Sequence, residues 1–279
     1  MRSARSWILV AALGVVLSAC DDDEATAPEV PIEMTASFNL NVDGQPLLPS
    51  IAYTNASGTS YTITSLRFVI SDVTLHNENG GSVKVADLHY YDWADVSTHT
   101  FKYTGLPHEE WSSVSFTFGL DETDNVRDKY SSLTQFHFAM FWPPTLGLNL
   151  GYHYMQLIGS YKTSPTTAAG YGTHTGPRQL DGNNLDFPGV VDATPHHFHF
   201  TVDLPFTPTH IHNEGQGQLT INFNLNDWYK DNDAADGLDT TYDFDDYQIV
   251  MGDLDAQGKL RANGRYCFSA TLESHGGHH

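Results

Sequence analysis

Tyr61 to Trp93 reads YTITSLRFVISDVTLHNENGGSVKVADLHYYDW. Apolar residues fall on alternate positions through Tyr61–Asn77, the spacing of a strand with one face buried. Asn79-Gly80-Gly81 then supplies the left-handed backbone that a tight hairpin needs, and Val83–Trp93 reads as the return strand. The same period runs outward in both directions. Thr35–Val42 alternates and ends at the turn pair Asp43-Gly44, while Val114–Gly119 leads into the loop Asp121–Asp128. Tyr152–Gly159, His197–Leu204 and Leu219–Leu225 continue the series. No segment carries an amphipathic helical pattern longer than two turns. Frequent strands separated by turn residues predict an all-β chain, an antiparallel β-sandwich or jelly-roll-like single domain with long loops.

The ends of the chain speak to compartment. Arg2 and Arg5 precede the apolar run Trp7–Leu17, followed by Leu17-Ser18-Ala19-Cys20. A run of this length reads as a signal peptide, too short to span a bilayer. Small residues before a Cys form a lipobox, so residues 1–19 are expected to be removed and Cys20 lipidated, tethering the protein to a membrane of the bacterial cell envelope. The acidic stretch 20–33 reads as a flexible tether, 34–270 as the domain and 271–279 as a His-rich tail. With Cys20 lipidated, Cys267 is left alone, which excludes an internal disulfide and a Cys-rich zinc site; it reads as a buried, inert thiol. A net charge of −21 repels nucleic acid and anionic surfaces and attracts cations.

The stretch 140–176, MFWPPTLGLNLGYHYMQLIGSYKTSPTTAAGYGTHTG, gathers Met140, Trp142, His153, Met155 and His174. Imidazoles and thioethers suit copper better than calcium or magnesium. The motifs M-F-W-P, G-Y-H-Y-M and H-T-G resemble the MbnP-like family of periplasmic copper-binding proteins. LRFVISDVTLHN (66–77), ADLHYYDW (86–93), SSVSFTFGLDETDNVRD (112–128) and the run 242–268 match in the same order. The resemblance spans about residues 34–270. It implies a β-rich envelope protein that binds copper, with a MauG-like di-haem peroxidase as partner. It also implies that the partner oxidises a tryptophan to kynurenine, which joins histidines at the metal. His153 and His174 fall at positions typical of the family's metal site, and His89 at a recurring family position. Trp142 is the candidate for oxidation, with Trp93, Trp111 and Trp228 as competitors. The chain departs from some such proteins in having no W-x-H.

Of fifteen histidines, eight cluster at 196–199, 210–212 and 275–279. On a strand, positions i and i+2 share a face, so His197 and His199 can share one ion, and His210 and His212 repeat the spacing. His153, between Tyr152 and Tyr154, is expected on the strand face opposite to both. Asp231, Asp233, Asp236 and Asp239 offer an oxygen cluster for calcium. Asp253–Leu260 opens like an EF-hand loop but has Gly264 at position twelve, so it reads as a hairpin turn. No nucleophile elbow, metalloprotease helix, phosphate loop or haem-attachment motif occurs. The expectation is a non-enzymatic envelope lipoprotein for copper acquisition, storage or handover, with His153 and His174 as core ligands and His197 or His199 completing the set. The alternative is an adhesive or glycan-binding lipoprotein with an aromatic platform.

Overall fold

The computed structural model describes residues 31–146, 150–181, 191–211 and 215–276. The described residues begin with β1 (Ile32–Val42), β2 (Gln45–Pro46), β3 (Ala52–Thr54), β4 (Ser60–His76) and β5 (Ser82–Asp92). It continues through β6 (Thr100–Leu106), β7 (Glu110–Phe118), the short helix α1 (Thr134–His137), β8 (Met155–Lys162) and β9 (Ala168–Thr175). Then come β10 (Arg178–Asp181), β11 (Val191–His196), β12 (Phe200–His210), β13 (Gln216–Asn224), helix α2 (Leu254–Gly264) and β14 (Phe268–His275).

Two sheets carry the fold. The smaller runs β14-β13-β1-β2 with β6 on β1, and the larger runs β12-β7-β4-β8-β9 with β3 and β5 on β4. Among the described strands all pairings are antiparallel except β1 with β13. The predicted all-β sandwich is the observed one. Alternation is clean on β13, where Gly217, Leu219, Ile221 and Phe223 are buried. The sheets meet through aromatic rings. Phe68 of β4 and Phe118 of β7 pack on Phe223 of β13, at 5.6 and 6.2 Å between centroids, and Phe118 also lies 5.5 Å from Phe268 of β14. Truncating a ring buried this fully costs about 3–5 kcal/mol.

β4 is the organising strand. Its first half pairs with β8 up to Phe68, and its second half pairs with β7 from Ile70 onward. At the handover Val69 donates its N–H to Tyr154 O (3.0 Å) and accepts from Gly119 N (2.8 Å). Two loops are thereby brought to one place, the one leaving β7 and the one entering β8. Gly119 has φ +93°, and a Cβ there would lie 2.5 Å from the Tyr154 ring, so only glycine serves. Asn125 ties the loops together, accepting from Tyr152 N (2.7 Å) and donating to Tyr152 O (3.2 Å).

Three sequence expectations are corrected. β8 begins at Met155, not Tyr152, and Tyr152, His153 and Tyr154, all buried, precede the strand. There His153 N donates to Met140 O of the loop, while Tyr154 bonds to Thr175 of β9 and Val69 of β4. Asp253–Leu260 is no hairpin turn: Asp253 caps the three-turn helix α2, its carboxylate accepting from Ala256 N at 3.0 Å. The buried face of α2 includes Gln257, Asn263 and Gly264, so no apolar period of 3.6 marks it in the sequence. β14 pairs with β13 as far as His275, which places residues 271–275 in the sheet rather than in a tail.

Candidate metal centre

The segment after α1 and the end of β9 enclose Trp142, His153 and His174. Trp142 N donates to Gly151 O (2.9 Å), and His153 N donates to Met140 O (2.6 Å), so the two residues approach across a loop. His174 lies opposite Gln156 in the β8–β9 register. Gln257 of α2 clamps this end of β9, donating to His174 O (2.8 Å) and accepting from Gly176 N (3.3 Å). Gly176 is required for space, since a Cβ would sit 2.3 Å from Cζ3 of Trp142. The indole packs edge-on against His153 at 4.6 Å, and the His153 and His174 rings lie 5.3 Å apart at 76°.

The polar atoms of this cluster are under-used. His153 Nε2, His174 Nδ1 and Trp142 Nε1 are buried with no hydrogen-bond partner. An unmet buried polar atom costs about 1–3 kcal/mol, and of these three the two imidazole nitrogens can accept a ligand, whereas the indole N–H can only donate. His153 Nδ1 lies 3.2 Å from Met140 O, and with its proton donated there the Nε2 lone pair is left open. Burial lowers the His153 pKa to about 3, helped by the neighbouring His174, and burial alone lowers that of His174 to about 4. Both rings are therefore neutral near pH 7, the protonation state a metal needs. Two imidazoles bound at about 2.0 Å to one tetrahedral ion have centroids roughly 5 Å apart, which the observed spacing matches.

A second cluster lies on the other side of Tyr154. Asp121 accepts from Thr123 N (2.8 Å) and Asp124 N (2.9 Å), and this turn presents Glu122 to solvent. His197 and His199 sit in the link between β11 and β12. One ligand atom each from Glu122, His197 and His199 fall within 4.8 Å of one another, the only such group of three among the described residues. The i, i+2 spacing thus brings both imidazoles together, although on a link rather than a strand. Glu122 was missed, because only the tertiary fold brings its loop to the histidines. Burial lowers both imidazole pKa values, and Glu122 opposes the shift. Tyr154 Oη lies 3.5 Å from His197 Nδ1.

The family model for MbnP matches residues 31–249. The chain belongs to the MbnP family. The solved structure of MbnP from Methylosinus trichosporium aligns with 87% of this chain and 99% of its own, at 11% identity and a TM-score of 0.45. A comparison with curated proteins finds no match.

The remaining candidates of this MbnP-family chain lie elsewhere. His89 is not brought to either cluster. Its ring stacks on Phe38 (5.5 Å), its Nε2 meets Thr98 O (2.9 Å), and burial lowers its pKa to about 4. The calcium expectation finds no support. Asp231 engages Thr240 Oγ1 (3.2 Å) and Asp233 N (3.1 Å), Asp239 engages Thr241 N (3.0 Å), and Asp233 engages Tyr266 Oη (3.0 Å), so these carboxylates shape turns. The Asp236 side chain, the lipidation candidate Cys20 and His212 lie outside what the structure describes. Cys267 is buried, with its thiol 3.6 Å from Asn263 O and its pKa raised by burial. Among the described residues no helix is long and apolar enough to cross a membrane.

Proposed function

We propose that this protein binds copper, as Cu(I), through His153 and His174 in the bacterial cell envelope, for acquisition, storage or handover of the metal. The observation that carries the reading is the pair of buried, neutral imidazoles with an unpartnered nitrogen on each ring. Two neutral nitrogen donors and no carboxylate give a Cu(I) complex of single positive charge, the least costly cation to bury. The centroid spacing is that of a bent arrangement, which leaves a third position open. Trp142, packed on His153, is the side chain suited to fill it after oxidation to kynurenine by a MauG-like di-haem peroxidase, because an intact indole offers only an N–H donor. Anchoring through a lipidated Cys20 would hold the site at the membrane. An aromatic binding platform is disfavoured, since Trp111, Trp142 and Trp228 are each 1% exposed.

The test is an anaerobic Cu(I) competition titration. His153→Ala and His174→Ala are each expected to weaken binding about ten-fold or more, which is 1.4 kcal/mol per decade, with the melting temperature little changed. Losses smaller than a decade in both variants would sink the assignment.

A further inference from the structure

Beyond the copper reading, we propose that Glu122, His197 and His199 form a second metal site that takes a divalent transition-metal ion of the Zn(II) type, independently of the buried imidazole pair. Neither His153 nor His174 belongs to the converging group. The two sites differ in charge. The imidazole pair brings none, whereas Glu122 and Asp121 bring two negative charges against the single positive charge of Arg261 near His199, a net field that favours a dication. Two imidazoles and one carboxylate are a donor set that zinc and its neighbours accept, with a position left for water.

Each donor is already held from behind. The Asp121 turn fixes the loop under Glu122 through Thr123 and Asp124. A His197 Nδ1–H turned toward Tyr154 Oη leaves Nε2 for the ion, the usual arrangement of a ligating histidine. Arg261 of α2 donates to His199 O (3.2 Å), fixing the link that carries both rings. His199 Nδ1 is buried with no partner, so an unmet nitrogen sits in this cluster too. Donors on one zinc ion lie about 3.3 Å apart, so the group needs to close by no more than about 1.5 Å on binding. The exposed side chain of Glu122 can make that movement.

The experiment is a Zn²⁺ titration of the mature chain with His275, His278 and His279 changed to Ala, so that the C-terminal histidines contribute nothing. One Zn²⁺ per chain is expected. Glu122→Gln, which keeps the shape of an exposed side chain, and His197→Ala should each weaken Zn²⁺ binding about ten-fold or more, while His174→Ala leaves it within about two-fold. Cu(I) titrations of the same proteins should give the reverse pattern, so this proposal and the copper reading fail separately. Zn²⁺ affinity within about two-fold of the parent in Glu122→Gln, or Zn²⁺ binding lost in His174→Ala, would overturn it.

Discussion

The His153–His174 pair and the Glu122–His197–His199 trio lie on either side of Tyr154, yet the fold builds them in opposite ways. Tyr154 donates its backbone N–H to Thr175 O beside the pair, and its hydroxyl reaches His197 of the trio. The pair is the more enclosed of the two: His153 is 4% exposed with Trp142 against it, His174 is half-buried, and the described polar contacts of His153 are to Met140 and Gln156. The trio is half-open, on a link and a turn, with a carboxylate facing solvent. Burial thus sets the charge that each place can hold. A more enclosed place favours neutral donors and a singly charged ion, whereas a solvated rim can keep an anion ready for a dication.

The strongest way to break this contrast is Gly176→Ala. The added methyl meets the Trp142 ring, and the crowding is expected to cost about 1–3 kcal/mol in denaturant unfolding. Cu(I) affinity should fall about ten-fold or more with it, while Zn²⁺ affinity stays within about two-fold. Equal losses at both sites would mean that they form a single unit.

A smaller effect separates His89 from both. Its folded pKa of about 4 lies below the ordinary 6.5, so the unfolded chain binds the extra proton first. The stability tied to this ring is therefore present above pH 6.5 and is lost as pH falls through 4. His89→Gln should show a shallower fall in melting temperature over that window than the parent, with Cu(I) affinity within about two-fold. A weakening of Cu(I) binding by a decade would return His89 to the metal centre.

The smallest expected effect is that of calcium. Since Asp231, Asp233 and Asp239 engage turn partners, millimolar Ca²⁺ should move the melting temperature by less than about 1 °C. A larger, saturable shift would give the acidic loop a ligand after all.

Much of the scaffold was legible. The hairpin around Asn79-Gly80-Gly81 stands as read, with Asn77 N bonded to Gly81 O, and β4 and β5 lie within a residue of their expected ends. α2 escaped because its inward face carries Gln257 and Asn263, which satisfy carbonyls of His174, Val250, Trp228 and Thr240. A helix buried for its hydrogen bonds leaves no apolar stripe to detect.

By itself, the sequence determined the β-period, the turn chemistry and the soft, His-rich character of residues 140–176. Those features depend on neighbours along the chain, where alternation and glycine placement act locally. The tertiary structure alone decided which histidines meet. His153 reaches His174 because β8 and β9 pair, and Glu122 reaches His197 and His199 because β12 pairs with β7, Phe200 opposite Phe118, so the link entering β12 meets the loop leaving β7. Ligand sets form between segments far apart in sequence, and the register of strands that joins them is settled by packing the whole core.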